Sequence, residues 1–351
     1  MKIIFTLLFL FAVLTSPVAL RAQVFEPEKI KKTSKPLVSV PVIVNDREGR
    51  YIPGLKKEDF AVYQDGVKQN ITYFATYDEP INIALLLDTS VSTQDTLKRI
   101  KDAAKDFIEL MNPNDKCLIA TFDSQVNVLN PFTSNQQTLK DALDKIQTAK
   151  EERTVMHRAV EQITQKFFNN IQGRKAIVLL SDGKDYGSFI TKDALLNQFE
   201  ESDVSIYTVF YKTGVNSKRV IIGSDGTLKE KNESKPQKKK SRKKKKGYSV
   251  FIPAQVGLPS DEAIEFLERT ADMDAIDSLK TMSDTTAGRF YVSDTTKLRK
   301  TFKKVAGELR QQYRLGFHSK DGATDATIQE IIIKVDRPDA VVRVRGKFRE
   351  K

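Results

Sequence analysis

The sequence predicts an α/β molecule, a doubly wound and mostly parallel sheet inserted into a small β-sandwich built from strands at the two ends of the chain. Three observations carry this expectation. The runs Ile81 to Leu87 and Lys175 to Leu180 are almost continuously apolar, as central parallel strands covered on both faces by helices must be. Around them, strand-like and helix-like patterns alternate in the manner of βαβ units. On either side of that block lie short β-branched and aromatic runs broken by turns, and neither set can close a core alone.

The elements follow in order. Met1-Lys2, the apolar stretch Ile3 to Leu14 and a region ending at Ala22 read as a signal peptide over residues 1–22. The competing reading is an uncleaved anchor, but the stretch is shorter than the roughly 20 residues a span needs. No later segment is apolar enough to cross a bilayer, so the mature chain is expected without a transmembrane span, secreted or periplasmic and associated with the cell envelope. Residues 23–36 are polar and lysine-bearing and read as a linker. Residues 37–79 form the N-terminal part of the accessory β domain, with strands at 37–44 and 60–63 and turns at Asp46 to Gly49 and Asp65-Gly66.

The α/β domain spans residues 80–312. After the first apolar strand, Leu97, Ile100, Ala104, Phe107, Ile108 and Met111 recur at helical spacing within a helix expected over 93–111. Strands follow at 117–122 and 126–129, a helix at 135–146, a helix opening at Thr154, the second apolar strand, a helix at 191–201 and a strand at 204–211. A strand at 289–292 and a helix at 295–312 close the domain. Residues 313–351, with strands at 313–317, 329–335 and 340–345, are expected to complete the sandwich.

Between these patterns lies an insertion of about residues 212–260. It concentrates the charge, because Lys229 to Lys246 holds eleven Lys and Arg against Glu230 and Glu233, a net +9 of the chain's +12. The cluster Lys238, Lys239, Lys240, Arg242, Lys243, Lys244, Lys245 and Lys246 is a candidate for acidic polysaccharide or an anionic envelope surface. A solvated loop partnered by the acidic helix after Ser260 is the plainer reading. Specific nucleic-acid binding is not expected, because no aromatic residue interleaves with residues 238–246 to stack bases.

Cysteine and histidine narrow the chemistry. The single Cys117 lies in an apolar strand, cannot form an internal disulfide and reads as a small hydrophobe. His157 and His318 are the only imidazoles, and each reads as a chance surface residue with no nucleophile near it in sequence. Zinc and copper sites are thus poorly supplied, and no enzyme activity is expected.

Oxygen donors, by contrast, gather at one place. The first apolar strand ends in Asp88-Thr89-Ser90-Val91-Ser92 and the second in Ser181-Asp182-Gly183. Both ends face the crevice at the carboxyl edge of a parallel sheet, where ligands of open α/β sheets bind. Helix capping competes as an explanation of Asp88 and the serines, and a second carboxylate at the same edge favours a hard cation, Mg²⁺, Mn²⁺ or Ca²⁺.

Asp88-x-Ser90-x-Ser92, Thr154 and Ser181-Asp182-Gly183 resemble the metal-ion-dependent adhesion site (MIDAS) of von Willebrand factor type A domains. Val44-Asn45-Asp46, Gly49, Gly54-Leu55, Glu58-Asp59-Phe60, Asp65-Gly66 and Ile71 are similar to the leader of a bacterial secreted family of such domains. Leu309 to Phe317 and Val342 to Gly346 are similar to its tail. The resemblance implies a metal held by Asp88, Ser90, Ser92, Thr154 and Asp182, with Asp185 and Ser188 supporting those ligands from behind or forming an ordinary polar loop. It also implies a protein ligand that presents an Asp or Glu to the ion. The chain departs from the pattern around Thr154: Glu151-Glu152-Arg153 precede it and Arg158 stands where an aspartate is usual, which puts the strength of metal binding in question. Thr154 also has a competing reading as a helix N-cap.

Overall fold

The structure is a computed structural model that describes residues 37–76, 79–149, 153–200, 202–212, 220–222, 228–230, 261–319 and 328–349. The expected signal peptide, the linker and most of the insertion, including the lysine cluster, lie outside the described residues.

The chain opens with strands β1 (Leu37–Asn45), β2 (Phe60–Gln64), β3 (Val67–Gln69) and β4 (Ile71–Ala75). The α/β block then runs β5 (Ile81–Asp88), α1 (Leu97–Glu109), β6 (Lys116–Phe122), β7 (Val126–Val128), α2 (Gln136–Asp144), α3 (Met156–Gln162) and β8 (Arg174–Ser181). It continues with α4 (Lys192–Phe199), β9 (Ser205–Tyr211), the hairpin β10 (Val220–Ile222) and β11 (Leu228–Glu230), α5 (Asp261–Thr285), β12 (Phe290–Ser293) and α6 (Leu298–Leu309). Strands β13 (Tyr313–His318), β14 (Ile328–Val335), β15 (Val341–Val344) and β16 (Lys347–Arg349) end it.

The central six-stranded sheet has the order β12-β9-β8-β5-β6-β7 and is parallel except for β7. The apolar runs that predicted its core occupy the two middle positions, and successive side chains serve opposite faces. Ile83, Leu85 and Leu87 of β5 with Ala176, Val178 and Leu180 of β8 pack under α1, α2 and α6. Ala84 and Leu86 with Ile177 and Leu179 pack under α3, α4 and α5. From β5 the chain turns to β6 on one side, and β8 later takes its place on the other. A crevice therefore opens above the carboxyl ends of β5 and β8, the switch point of the fold.

The end strands form two four-stranded antiparallel sheets, β15-β1-β13-β4 and β16-β14-β2-β3. They share one apolar core containing Val40, Val42, Val44, Val62, Tyr313, Leu315, Phe317, Ile333 and Phe348, so each sheet draws strands from both ends of the chain. Tyr313 organises this core, with its ring among Tyr51, Phe60 and Phe74. Its buried hydroxyl donates to Ile52 O at 2.9 Å and accepts from Leu55 N at 3.2 Å.

Ion pairs seam the sandwich to the α/β block. Glu308 on α6 takes Arg289 at 2.6 Å and Arg343 of β15 at 2.7 Å. Asp203 takes Lys175 at 2.6 Å and Arg314 of β13 at 3.2 Å, and Glu200 takes Arg349 of β16 at 3.1 Å.

One expected boundary needs correction, and three other features go beyond what the pattern announced. The helix expected from Thr93 begins at Leu97, because residues 91–93 form a 3-10 turn in which Ser90 O accepts from Thr93 N at 2.9 Å and Thr93 Oγ1 at 2.8 Å. The helix expected after Ser260 runs 25 residues, Asp261–Thr285, and plants Leu279 and Met282 in the core. The helix after Thr154 passes into a π-helical stretch at Ile163–Phe168. Strands β3, β4 and β16 are additional to those expected.

Candidate metal centre

The site is built at the ends of β5 and β8. Asp88 is the last residue of β5 and is fully buried. Its Oδ1 accepts from Ser90 N at 3.0 Å and Ser90 Oγ at 2.6 Å, and its Oδ2 accepts from Ser181 Oγ at 2.7 Å. Ser90 Oγ lies 3.1 Å from Ser92 Oγ, which donates to Asp182 Oδ2 at 3.0 Å. Asp88, Ser90, Ser92 and Asp182 thus form one unbroken chain of oxygen atoms across the crevice. Ser181, which the sequence reading quoted only as part of a motif, braces Asp88 and also accepts from Gly183 N at 2.9 Å.

Gly183 has a local reason to be glycine. Its φ is +78°, and a Cβ there would lie 2.8 Å from Ala275 O of α5. The turn after Asp182 therefore passes directly against that helix.

Thr154 sits in the same edge, 5 % exposed. Its carbonyl accepts from Tyr186 N at 3.0 Å, and the next residue, Val155, donates its N–H to Asp123 O at 2.9 Å. Thr154 is not the helix cap: the cap position of α3 is Val155, with no side-chain cap of its own. The free N–H groups of α3 are met from the β8 loop instead. Asp185 Oδ2 accepts from His157 N at 2.7 Å and Ser188 Oγ accepts from Arg158 N at 3.0 Å. Asp185 and Ser188 therefore clamp α3 and the segment carrying Thr154 to the loop carrying Asp182.

Asp123, which the sequence reading passed over, also borders this edge and accepts from Thr89 Oγ1 at 3.3 Å. Its signal was available, since it follows the apolar strand β6 as Asp88 follows β5. Arg158 is exposed, and the Arg153 side chain runs along the loop, its Nε only 2.7 Å from where a Cβ of Gly187 would stand. Glu151 and Glu152 lie outside the described residues.

His157 is not a surface histidine. Its side chain is 12 % exposed, with Nδ1 3.2 Å from Asp185 Oδ2 and Nε2 2.9 Å from Ser278 Oγ of α5. The fold thus supplies a serine partner from 121 residues away that sequence spacing could not show. Ser278 is 6 % exposed on a packed helix, so the relay ties α5 to α3 and does not present a nucleophile to solvent. His318 is exposed, as expected. Cys117 is buried, and burial pushes its thiol up to about 12, which leaves it an inert hydrophobe.

The electrostatics suit a cation. Burial, and secondarily the charge of Asp182, push the Asp88 carboxyl up to about 7 despite the hydrogen bonds it accepts. Tyr211, at the end of β9, is buried within reach of both carboxylates and its phenol is raised, first by its own burial and then by their charge. Among the described residues no group of three or more His, Cys, Asp and Glu side chains is placed to hold a metal, so the donor set depends on the serine hydroxyls. Two crowded carboxylates and two hydroxyls in line are hard oxygen donors that fit a divalent cation such as Mg²⁺.

A cradle of hydroxyls and carboxylates thus stands above the switch point of a doubly wound sheet. Comparison with known families gives the class its name: residues 83–184, from β5 through β8, match the von Willebrand factor type A domain. No curated protein matches the chain. Among solved structures it is similar to proximal thread matrix protein 1 from the mussel byssus, at 14 % identity and a TM-score of 0.45 over 68 % of this chain and 48 % of that one. The chain therefore spans about half the length of the mussel protein, which has also been solved with zinc in its MIDAS motif. It is similar as well to the conserved hypothetical protein BatB from Bacteroides thetaiotaomicron, at 13 % identity and a TM-score of 0.42 over 65 % of this chain and 97 % of that one.

Proposed function

We propose that the chain is a secreted or envelope-associated binding module that holds a divalent cation and captures a protein partner through an Asp or Glu. The observation that carries this reading is the continuous line from Asp88 through Ser90 and Ser92 to Asp182 at the switch point. Ser90, Ser92 and Thr154 would offer hydroxyls to the cation, and Asp88 and Asp182 would face it directly or through water. A bound Mg²⁺ supplies positive charge and coordination positions beyond those the chain fills. The remaining positions of the cation would be held by water, and a partner's carboxylate can displace one of those waters. The chain's own part is positioning: Ser181 holds Asp88, and the Asp185–Ser188 clamp holds the Thr154 segment against the Asp182 loop.

The test is calorimetry with Mg²⁺ and Mn²⁺ on the wild type, Ser92→Ala and Asp88→Ala. Saturable heat in the wild type that falls at least tenfold in affinity in Ser92→Ala and vanishes in Asp88→Ala is expected. Heat that is absent from the wild type, or unchanged in the variants, overturns the reading.

The charge concentrated in residues 229–246 supports a second contact, to an anionic polymer or envelope surface. Deleting residues 235–246 is then expected to abolish salt-sensitive heparin retention and to leave the calorimetric metal signal intact. Unchanged retention would assign the run to a solvated loop.

A further inference from the structure

The loop that carries Asp182 also carries Tyr186 and Phe189, which are 63 % and 88 % exposed and are the two exposed aromatic side chains among the described residues. Their exposure does not come from a slack loop. Asp185 Oδ1 accepts from Gly187 N at 3.2 Å and Ser188 N at 2.9 Å, Tyr186 N donates to Thr154 O at 3.0 Å, and Ser188 Oγ takes Arg158 N. Each residue from 185 to 188 is thus tied to the Thr154–α3 segment or to the loop itself, while both rings face water. Exposed aromatics on an ordered loop are characteristic of contact surfaces, because they supply apolar area with little entropy to lose on binding.

Tyr186 stands beside the metal centre through its bond to Thr154, and Phe189 follows it three residues along the same loop. The Tyr186 phenol is within electrostatic reach of Asp182 and Lys184. Lys184 donates its backbone N–H to Asp182 Oδ1 at 3.3 Å, and the exposed Arg153 and Arg158 flank the same loop. Asp272 also lies within electrostatic reach of the phenol, so the loop carries both signs, with the exposed cations Arg153 and Arg158 on the α3 side available to an anionic partner.

We propose that Tyr186 and Phe189 form an aromatic shelf of the binding site, and that the partner is a protein segment whose acidic residue has an apolar or aromatic neighbour seated on it. This rests on the metal-dependent reading above and adds the chemistry of the flanking residue. The shelf contributes affinity by burying the neighbour and selects against acidic segments flanked only by polar residues.

The experiment selects displayed random peptides on the immobilised full chain in Mg²⁺, elutes them with chelator and sequences the pool, using wild type, Phe189→Ser, Phe189→Leu and Asp88→Ala. The wild-type pool is expected to pair Asp or Glu with an apolar residue within three positions. Phe189→Ser should keep the acid, lose the apolar neighbour and bind the best wild-type peptide about tenfold more weakly, and Phe189→Leu should restore most of that loss. Phe189 is so exposed that its variants should melt at the wild-type temperature, which a thermal scan checks.

A chelator-eluted pool with no apolar preference, or one unchanged in Phe189→Ser, overturns the shelf while leaving the metal reading in place. A pool that is empty, or that is the same on Asp88→Ala, overturns both. Two other occupants are tested alongside. Phe189-dependent binding to phosphatidylglycerol vesicles without Mg²⁺ would make the rings a membrane anchor, and Phe189-dependent dimerisation in sedimentation would make them a self-contact; either result overturns the proposal.

Discussion

Asp88 shows what a single buried carboxylate does when its partners are hydroxyls. Every hydrogen bond it accepts favours its charge, yet burial and Asp182 outweigh them. The position is thus poor for stability alone and good for a cation. His157 shows the opposite shift: burial pushes the imidazole below its ordinary value against the pull of Asp185, with Lys192 pushing the same way as burial. The folded protein then binds fewer protons than the unfolded chain below about pH 6.5. Its contribution is present above that value and lost as pH falls through the depressed one. Wild type is therefore expected to lose melting temperature more steeply than His157→Gln between about pH 6.5 and pH 5, read by calorimetry; parallel slopes would sink the assignment. At Gly183 the positive φ and the contact with Ala275 act together. Gly183→Ala should cost more than about 1 kcal/mol in urea denaturation and weaken metal binding, because its neighbour Asp182 moves with the turn.

At the scale of elements, legibility followed how much of a residue's environment its own neighbours in sequence create. β5 and β8 were readable because a strand buried on both faces must be apolar throughout, and their terminal Asp88 and Asp182 were readable with them. The capping of α3 was not readable, because its caps, Asp185 and Ser188, come from about 30 residues downstream. The same distance effect hid the Ser278 contact of His157 and the core role of the second half of α5. Helix α1 starts later than its stripe suggested because residues 88–93 are committed to the oxygen-lined turn. Asp185→Ala removes bonds to His157 N, Gly187 N and Ser188 N together. It is expected to lower stability by about 1–2 kcal/mol and to reduce Mg²⁺ affinity through the Thr154 segment, an outcome calorimetry on the variant decides. Unaltered affinity would show that Thr154 does not face the ion.

For the whole molecule, ion pairs seam the sandwich to the α/β block, and both Glu308 and Asp203 hold two partners. Glu308 is 12 % exposed and accepts from both Arg289 and Arg343. Glu308→Gln leaves two guanidinium groups short of a counter-charge, and because both are partly solvated the expected loss is about 2 kcal/mol. Equilibrium unfolding in urea measures it, and a midpoint within error of wild type would count against the seam as a stabilising element. The sandwich was legible as an architecture because neither end set could bury a face alone, but which strand pairs with which was not, since register depends on partners remote in sequence.

That remoteness sets a timetable. Leu37 pairs with His318, and Asn45 with Val341, so the first strand waits for nearly the whole chain to be made before it has a neighbour. Loops of this length close slowly, whereas β5, β6 and β8 can assemble with their own helices beforehand. From contact order, the α/β block is expected to form first and the sandwich to close last. A chain cut short before β13 leaves β1 without its central partner, and the seam unmade.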